Sequence, residues 1–368
     1  MENKSNILVA QFQQIELPNF TERLVNASKW VRYGANNDFP YLLQGLANRS
    51  ALHNAIVTSK VEYAYADGLE FEGETVGEKL FYEHPNPYET LNDIYKKCLY
   101  DYVLYGGFAL NVIWDRKQEN ISSVYHCEFS KLRAGKKNEK GYVDNYYYNS
   151  DWLLYATKNV KEIPAYNVCD KNGGQIMYVK EYRPGQEYYP LPQYVGALNY
   201  IAIDAEISNF HLSHIENGMS PNYLLSFNNG VPSPDERESI KREFIRQFTG
   251  TDNAGKFVLA FSDSAENAPT ITTLSADNLD EQFIQLQSTV LQNILSGHGV
   301  VSPMLVGIKT EGQLGGASEL NNAYNIYYQH VIRGIQDIVV KHLNEVLSHT
   351  MGYNGVNLMP TRRIIEFE

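Results

Sequence analysis

The chain has 368 residues, is 43% hydrophobic and 20% charged, and carries a net charge of −12. That length supports a large core divided into two or three lobes, and that composition excludes a disordered chain. The acidic total excludes a protein that grips nucleic acid through an overall basic surface.

Residues 1–38 read as a loose arm ending in the turn-rich "WVRYGANNDFP", where Gly34 precedes the Asn36-Asn37-Asp38 cluster. Two helices follow. One covers about residues 40–48; the other starts after Ser50, a good N-cap, and ends near Gly68. A third starts after Thr90, with Asp93 in the capping-box position. It carries Leu91, Ile94, Cys98, Leu99 and Tyr102 on one face and stops before Gly106-Gly107. The stretch from 107 to 183 is strand-like. "FALNVIW", "SSVYHCEF", "GYVDNYYYNS", "DWLLYAT" and "QIMYVKEY" are separated by Gly, Asn, Asp and Lys turns, which predicts a small antiparallel sheet or barrel-like unit.

From about 196 to 217 the pattern becomes helical, with Gly218 and Pro221 as stop signals. A compact module occupies 221 to about 276: the strand "YLLSF", a helix, then "KFVLAF" and "TITTL". That helix is well signed. Ser233 is the N-cap, Pro234 the first helical residue, and Glu236 completes S-x-x-E. Ile240, Phe244 and Phe248 form its apolar stripe. Another helix is predicted at 279–296. The longest runs from after Ser318 to about 348, with Leu320, Tyr324, Tyr327, Val331, Ile335, Ile338 and Val346 at helical spacing; at 1.5 Å per residue it would span roughly 45 Å. "RRIIEF" reads as a last strand. The helices at 196–217 and 279–296 bracket the small α/β module, an economical way to hold it out on a stalk.

Tyr is over-represented, 28 against 15 Phe. A ring with a polar tip suits wet interfaces and half-buried sheets, subunit contacts among them, although compositional bias accounts for it equally well. Cys98, Cys127 and Cys169 are widely spaced and odd in number, which reads as free thiols in a reducing compartment. The N-terminus lacks a signal-peptide core, and no run approaches the ~20 apolar residues of a membrane span, so the expectation is a soluble cytosolic product with no membrane partner.

Three groups of residues invite a chemical reading. "GIKTEGQLGG" precedes a helix, as a phosphate loop would, but no G-x-x-x-x-G-K-[ST] occurs anywhere. The other reading of Gly312, Gly315 and Gly316 is a mobile loop joining two helices. His211 and His214 share a helix face at i, i+3, yet spacing marks no third ligand, so a polar, solvent-facing side competes with a metal site. No catalytic signature such as G-x-S-x-G or H-E-x-x-H is present. Charge is the sharper signal. No Lys or Arg occurs between Lys256 and Lys309, a window holding Asp263, Glu266, Asp277, Asp280 and Glu281. The helix at 198–217 has none either, with Asp204, Glu206 and Glu216. Arg237, Lys241, Arg242 and Arg246 concentrate on the 234–249 helix. Such segregation suits a surface that must not hold polyanions beside one that contacts something acidic; ordinary helix solvation is the plainer account.

Six segments in this order carry a family resemblance: "WVRYGANNDFPYLLQGLANRSALHNAI", "YETLNDIYKKCLYDYVLYGGFALNVIW", "PLPQYVGALNYIAID", "ESIKREFIRQFTGTDNAGKFVLAF", "DEQFIQLQSTVLQNILSGHGVVSPMLVGI" and the long helix after Ser318. From about residue 30 to 350 the chain resembles the portal proteins of tailed double-stranded DNA bacteriophages. The resemblance implies an α+β, multi-part subunit of a ring of about twelve copies around a DNA channel. It implies an N-terminal arm (1–29), a wing of helices and a small β unit (30–195), a first stem helix (196–219), a clip (220–277), a second stem helix (278–296), a tunnel loop with the long wing helix (297–350), and a short C-terminal segment with a minimal crown (351–368).

Lys309, Thr310, Glu311, Gln313 and Leu314 would form the tunnel loop, and twelve copies of Lys309 would ring the constriction. Asp204, Glu206, His211, His214, Glu281 and Gln285 would be candidates to face the channel. Arg237, Lys241, Arg242 and Arg246 would contact partners through the clip. The implied protein is no enzyme and needs no cofactor or metal. Its implied partners are further copies of itself, the terminase large subunit, a head-completion or adaptor protein, the major capsid and scaffold proteins, and double-stranded DNA passing non-specifically. It would reside in the virion, after assembly in the host cytoplasm. A ring-forming tail or baseplate protein is the alternative, with a nucleotide-dependent enzyme using the 312–316 loop and a DNA-binding regulator behind it.

Overall fold

A computed structural model describes residues 20–73, 75–153, 159–216, 223–227, 257–261, 279–308 and 317–362, with single positions between 233 and 242. The chain divides into two units. The first combines Met1–Asn199 with Asn293–Glu368; the second is Tyr200–Gln292.

The first unit opens with a short antiparallel pair, β1 (Glu22–Arg23) and β2 (Arg32–Tyr33). Helix α1 (Phe39–Arg49) starts with Pro40 in its first turn, where a missing N–H costs nothing. Helix α2 (Ala51–Tyr65) starts where expected: Ser50 Oγ accepts from the His53 N–H at 3.1 Å. After β3 (Leu69–Glu70) comes α3 (Val76–Glu83), a helix the sequence reading does not predict. Its start is nevertheless signed by a reciprocal capping box between Thr75 and Glu78. Helix α4 (Leu91–Tyr105) has the expected box between Thr90 and Asp93 and ends at Gly106, whose φ of 83° is left-handed. A Cβ there would lie 2.5 Å from the Leu191 carbonyl oxygen, so only glycine fits both the turn and the close approach.

The predicted β unit proves to be two three-stranded antiparallel sheets. In one, β4 (Gly107–Trp114) is central between β5 (Ile121–Cys127) and β9 (Gly174–Lys180). In the other, β7 (Asn145–Tyr148) lies between β6 (Leu132–Ala134) and β8 (Lys161–Pro164). "DWLLYAT" does not begin as a strand: Asp151–Leu153 form a bend that buries Trp152, and 154–158 lie outside the described residues. A 3-10 turn (Gln193–Ala197) leads into α5 (Leu198–Glu216).

The second unit contains most of α5, the strands β10 (Tyr223–Phe227) and β11 (Phe257–Phe261), and most of α6 (Leu279–Gly297). The two strands pair in parallel, which requires a crossover between them. Asp235, Glu236, Ser239 and Arg242 are helical within that crossover. The Ser233 N–H and Oγ–H donate to Glu236 Oε2 at 2.9 and 2.8 Å, so the expected capping pair forms. The remainder of that helix and the predicted strand "TITTL" lie outside the described residues.

The chain re-enters the first unit at Asn293, within α6, and continues into a 3-10 turn (Pro303–Val306). The predicted long helix is then α7 (Ala317–Tyr327) and α8 (Arg333–Leu347), joined by a single π-helical stretch, Tyr328–Ile332. Strand β12 (Met359–Pro360) pairs with β3; most of "RRIIEF" falls outside the described residues.

The core of the first unit is where α2 and α4 meet each other, α8 and the β4 sheet. Much of the Tyr surplus goes here rather than to the surface. Tyr33, Tyr95, Tyr189, Tyr194 and Tyr327 are all within 1% of complete burial. Several place the hydroxyl on a backbone carbonyl, as Tyr194 does on Leu104 O at 2.6 Å and Tyr33 on Pro190 O at 2.6 Å. Gln336, fully buried on α8, donates to Ala64 O and Thr361 O and accepts from the Tyr328 hydroxyl, tying α2, the π stretch and the C-terminal segment together. Cys98 and Cys127 are buried and Cys169 is exposed; all three are free thiols.

Arg133 is also fully buried. Its guanidinium donates to Asn37 Oδ1, to Asn37 O at 2.9 Å, and to Ser130 O and Leu132 O at 2.8 and 2.7 Å. Arg133→Met should leave those carbonyls unsatisfied and destabilise the unit by about 2–4 kcal/mol, read as a lowered urea midpoint with an unchanged slope.

His53 and His298 are fully buried and meet through Nδ1 and Nε2 at 2.9 Å. Burial, and then the charge of Lys60, lowers both pKa values, His53 to about 4. The folded-state values lie below the ordinary histidine value of 6.5. The unfolded chain therefore protonates first, and stability should fall as pH drops from about 6.5 toward about 4. Thermal unfolding across that window should show a smaller loss in a His53→Leu, His298→Phe double variant than in the native sequence.

Candidate functional site

The candidate site begins with the two long helices of the second unit. Neither α5 nor α6 contains a Lys or an Arg. Both lack internal Gly or Pro apart from Gly297 at the end of α6, so nothing in their sequences interrupts 19-residue helices. In α5, Ile201 and Ala205 share a buried face at i, i+4. Glu206, Ser208 and Asn209 are exposed, Asp204 is half-buried, and Leu212 is 56% exposed. Asn209 Nδ2 donates to Glu206 Oε2 at 3.2 Å one turn back.

Helix α6 changes character along its length. Val290, Ile294 and Leu295 are buried toward its C-terminal end. The six residues Ile284 to Thr289 are all exposed, Ile284 at 68% and Leu286 at 39%. Six residues exceed one full helical turn, so the exposure of this stretch extends around the helix rather than along one face. Two of these exposed residues, Ile284 and Leu286, are large and apolar, which suits a surface that meets another molecule.

Of the sequence-derived site residues, Asp204 and Glu206 lie one turn apart from Ser208 and Asn209 on α5, and Gln285 is exposed on α6. His211 and His214 fall within α5 and Glu281 within α6, but their side chains are outside the described ones. Arg242 is exposed in the crossover of the second unit. Arg237, Lys241 and Arg246 lie outside the described residues, as do Lys309, Thr310, Glu311, Gln313 and Leu314. Among the described residues no group of three His, Cys, Asp or Glu side chains is placed to hold a metal, and no helix is long and apolar enough to cross a membrane.

The sequence reading passes over one feature of the first unit. Lys60 is 2% exposed and donates to Gln193 Oε1 at 2.8 Å. Burial alone brings its pKa down to about 7. The signal was present in the spacing: His53, Ile56, Val57, Lys60, Val61 and Ala64 form one continuous helical stripe, so a lysine stands where an apolar residue is expected. Lys60 and Gln193 lie on the wall of a cavity of about 340 Å³ within this unit.

Comparison with known proteins then gives the family. The profile of the phage portal protein family matches residues 65–367. A probable portal protein of Haemophilus phage HP1 is 22% identical over 195 residues, 52% of this chain and 53% of that protein. The chain spans about half the length of the curated relatives it matches. The fold is similar to a chain in the neck of an empty gene transfer agent particle computed with C6 symmetry, with a TM-score of 0.59, 17% identity, and coverage of 88% of this chain and 84% of that one. A chain in the neck of the native particle, computed with C12 symmetry, gives a TM-score of 0.55 at 17% identity, covering 87% and 83%. A family match over most of the sequence, on an α+β fold shared with these neck chains, means that this chain belongs to the phage portal protein family.

Proposed function

We propose that this protein is a structural subunit of a ring-shaped portal, the conduit at one capsid vertex through which DNA is packaged and later ejected. The family match over residues 65–367 carries this reading. The symmetric particle necks that contain its structural neighbours support assembly into a ring, and twelve copies is the number we favour. The uncovered turns of α6, with Ile284 and Leu286 exposed, would then be covered by an adjacent copy. The protein performs no catalysis in this role and uses no cofactor. It works in the virion after assembling in the host cytoplasm.

The physical logic of a conduit explains the charge pattern. Every phosphate held by a Lys or Arg releases counterions and adds affinity, which acts as friction on a passing duplex. In this reading α5 and α6 are the stem, and the absence of basic residues from both keeps DNA from adhering. Asp204, Glu206, His211, His214, Glu281 and Gln285 are our candidates to face the channel. The crossover module is the clip, where Arg237, Lys241, Arg242 and Arg246 would meet acidic surfaces of the terminase large subunit or of a head-completion protein. The wing would contact the major capsid and scaffold proteins. Lys309, with Thr310, Glu311, Gln313 and Leu314, would form the tunnel loop at the constriction.

Electron microscopy of the purified protein should give class averages of rings with a central hole and about twelve subunits. A monomer at every concentration tried would remove the assembly on which this reading depends. Within the ring, Lys309→Ala should leave assembly intact and weaken DNA retention, measured as the fraction of particles that keep a full genome. Normal packaging and retention in that variant would take the constriction role away from Lys309.

A further inference from the structure

The cavity beside Lys60 is lined in part by Tyr182, Arg183, Gln193 and His330. Its volume, about 340 Å³, is at the small end of ligand pockets. Three observations about it are independent of one another. First, its wall holds a lysine that is 2% exposed and that forms no ion pair among the described residues; the neutral Gln193 oxygen is the acceptor it has. A buried ammonium without a carboxylate is costly, and a carboxylate arriving at this wall would offset that cost. Second, the wall includes His330 and Val331 of the π-helical stretch, a helix irregularity that recurs at functional sites. Third, Tyr182 is 83% exposed beside the half-buried Arg183, and Tyr and Arg are the residues enriched where protein surfaces bind. The one carboxylate on the wall, Glu181, accepts a hydrogen bond from the Tyr102 hydroxyl at 3.3 Å.

The chain's own composition points to the occupant. It has 43 acidic against 31 basic side chains, so identical copies approach one another as like charges. A head-to-tail ring joins one face of each copy to a different face of the next, and in a chain with this excess of carboxylates a cationic pocket on one face can accept an acidic side chain from the other.

We propose that this cavity receives an acidic side chain from the adjacent copy in the ring, with Lys60 and Arg183 pairing to its carboxylate and Tyr182 packing along its stem. The proposal rests on the ring assembly proposed above. Gln193 would give up its bond to Lys60 as the carboxylate enters. Gln193 is the exposed first residue of a 3-10 turn anchored by the buried Tyr194 and Ala197, so its side chain can move without breaking a helix.

A reconstruction of the purified wild-type ring tests this directly. The expected result is an Asp or Glu of the adjacent copy within about 4 Å of Lys60 Nζ. A ring whose cavity is empty, faces away from its neighbour, or holds a free small anion would overturn the proposal while leaving the portal reading intact. Absence of any ring would overturn both. Arg183→Glu gives a second measure that does not disturb the buried lysine. It should reduce ring formation about tenfold by mass photometry, with the melting temperature of the unassembled chain unchanged. Undiminished ring formation in Arg183→Glu would count against the pocket as an assembly contact.

Discussion

A fully buried guanidinium whose partners among the described residues are all neutral oxygens sets the terms for the first unit. Arg133 cannot lose its charge, so every donor must find an oxygen inside the protein. Backbone carbonyls of Ser130 and Leu132 meet one nitrogen, and Asn37 meets two others through its side chain and its carbonyl. Those bonds hold the segment before α1 against the β6 edge of the second sheet. Trp152, whose ring centre is 5.0 Å from the guanidinium carbon, lies over it. Tyr33, itself stacked on Tyr189 at 4.1 Å, lies on another side. A chain segment far away in sequence, the turn at 187–189, is fastened to the N-terminal hairpin by the same logic in reverse: the Glu22 carboxylate accepts from three successive backbone N–H groups. At Arg133 and at Glu22 charge is satisfied largely by backbone groups, whereas surface pairs such as Lys29–Glu162 and Lys137–Glu187 join charge to charge.

The second unit follows another rule. Its long helices carry no positive charge, and α6 leaves the six residues Ile284–Thr289 exposed, so that stretch contributes little burial to its stability. Helices that are exposed on all sides are supported by propensity alone, and in a short segment that support is marginal. The proposed ring answers this physically. A neighbouring copy would bury the apolar residues at 212, 284 and 286, and the acidic, base-free character of the helices would be left for the face that meets no protein.

Local chemistry explains which elements could be read from the sequence. Ser50, the Thr90–Asp93 box, Gly106 and the Ser233–Glu236 pair each satisfy backbone groups within a few residues, and each stands in the structure as the sequence implies. Helix α3 carries the same kind of box but escaped notice. It is eight residues long, buries Glu78 and Phe81, and leaves Val76 and Leu80 exposed, so its apolar pattern never declares a face. The π stretch was equally hidden, because Tyr324, Tyr327, Val331 and Ile335 keep ordinary helical spacing across it. The candidate site was less legible than the fold. A conduit requires no nucleophile, no ligand set and no phosphate loop; what it shows in sequence is where basic residues are missing, and that pattern acquires meaning only beside an ordered family resemblance.

Assembly and conduction pull the charge of such a protein in opposite directions. An acidic copy resists its neighbours as well as DNA, and at physiological salt charges on different copies are screened only beyond roughly 8 Å, so close subunit contacts feel the repulsion. Distributing lysine and arginine along α5 and α6, the proposed channel helices, would relieve that repulsion and at the same time make the channel adhesive. Sequestering cations in a pocket separates the two demands. Lys60 sits below the surface, where a rigid duplex cannot reach and a single side chain can, and its partial neutrality near pH 7 keeps it from acting as a free surface charge before a carboxylate arrives. A carboxylate bound beside it would favour the protonated ammonium, so the pair would become ionic as it forms. The cost of burying a charge would thereby be met at the proposed subunit contact, away from α5 and α6.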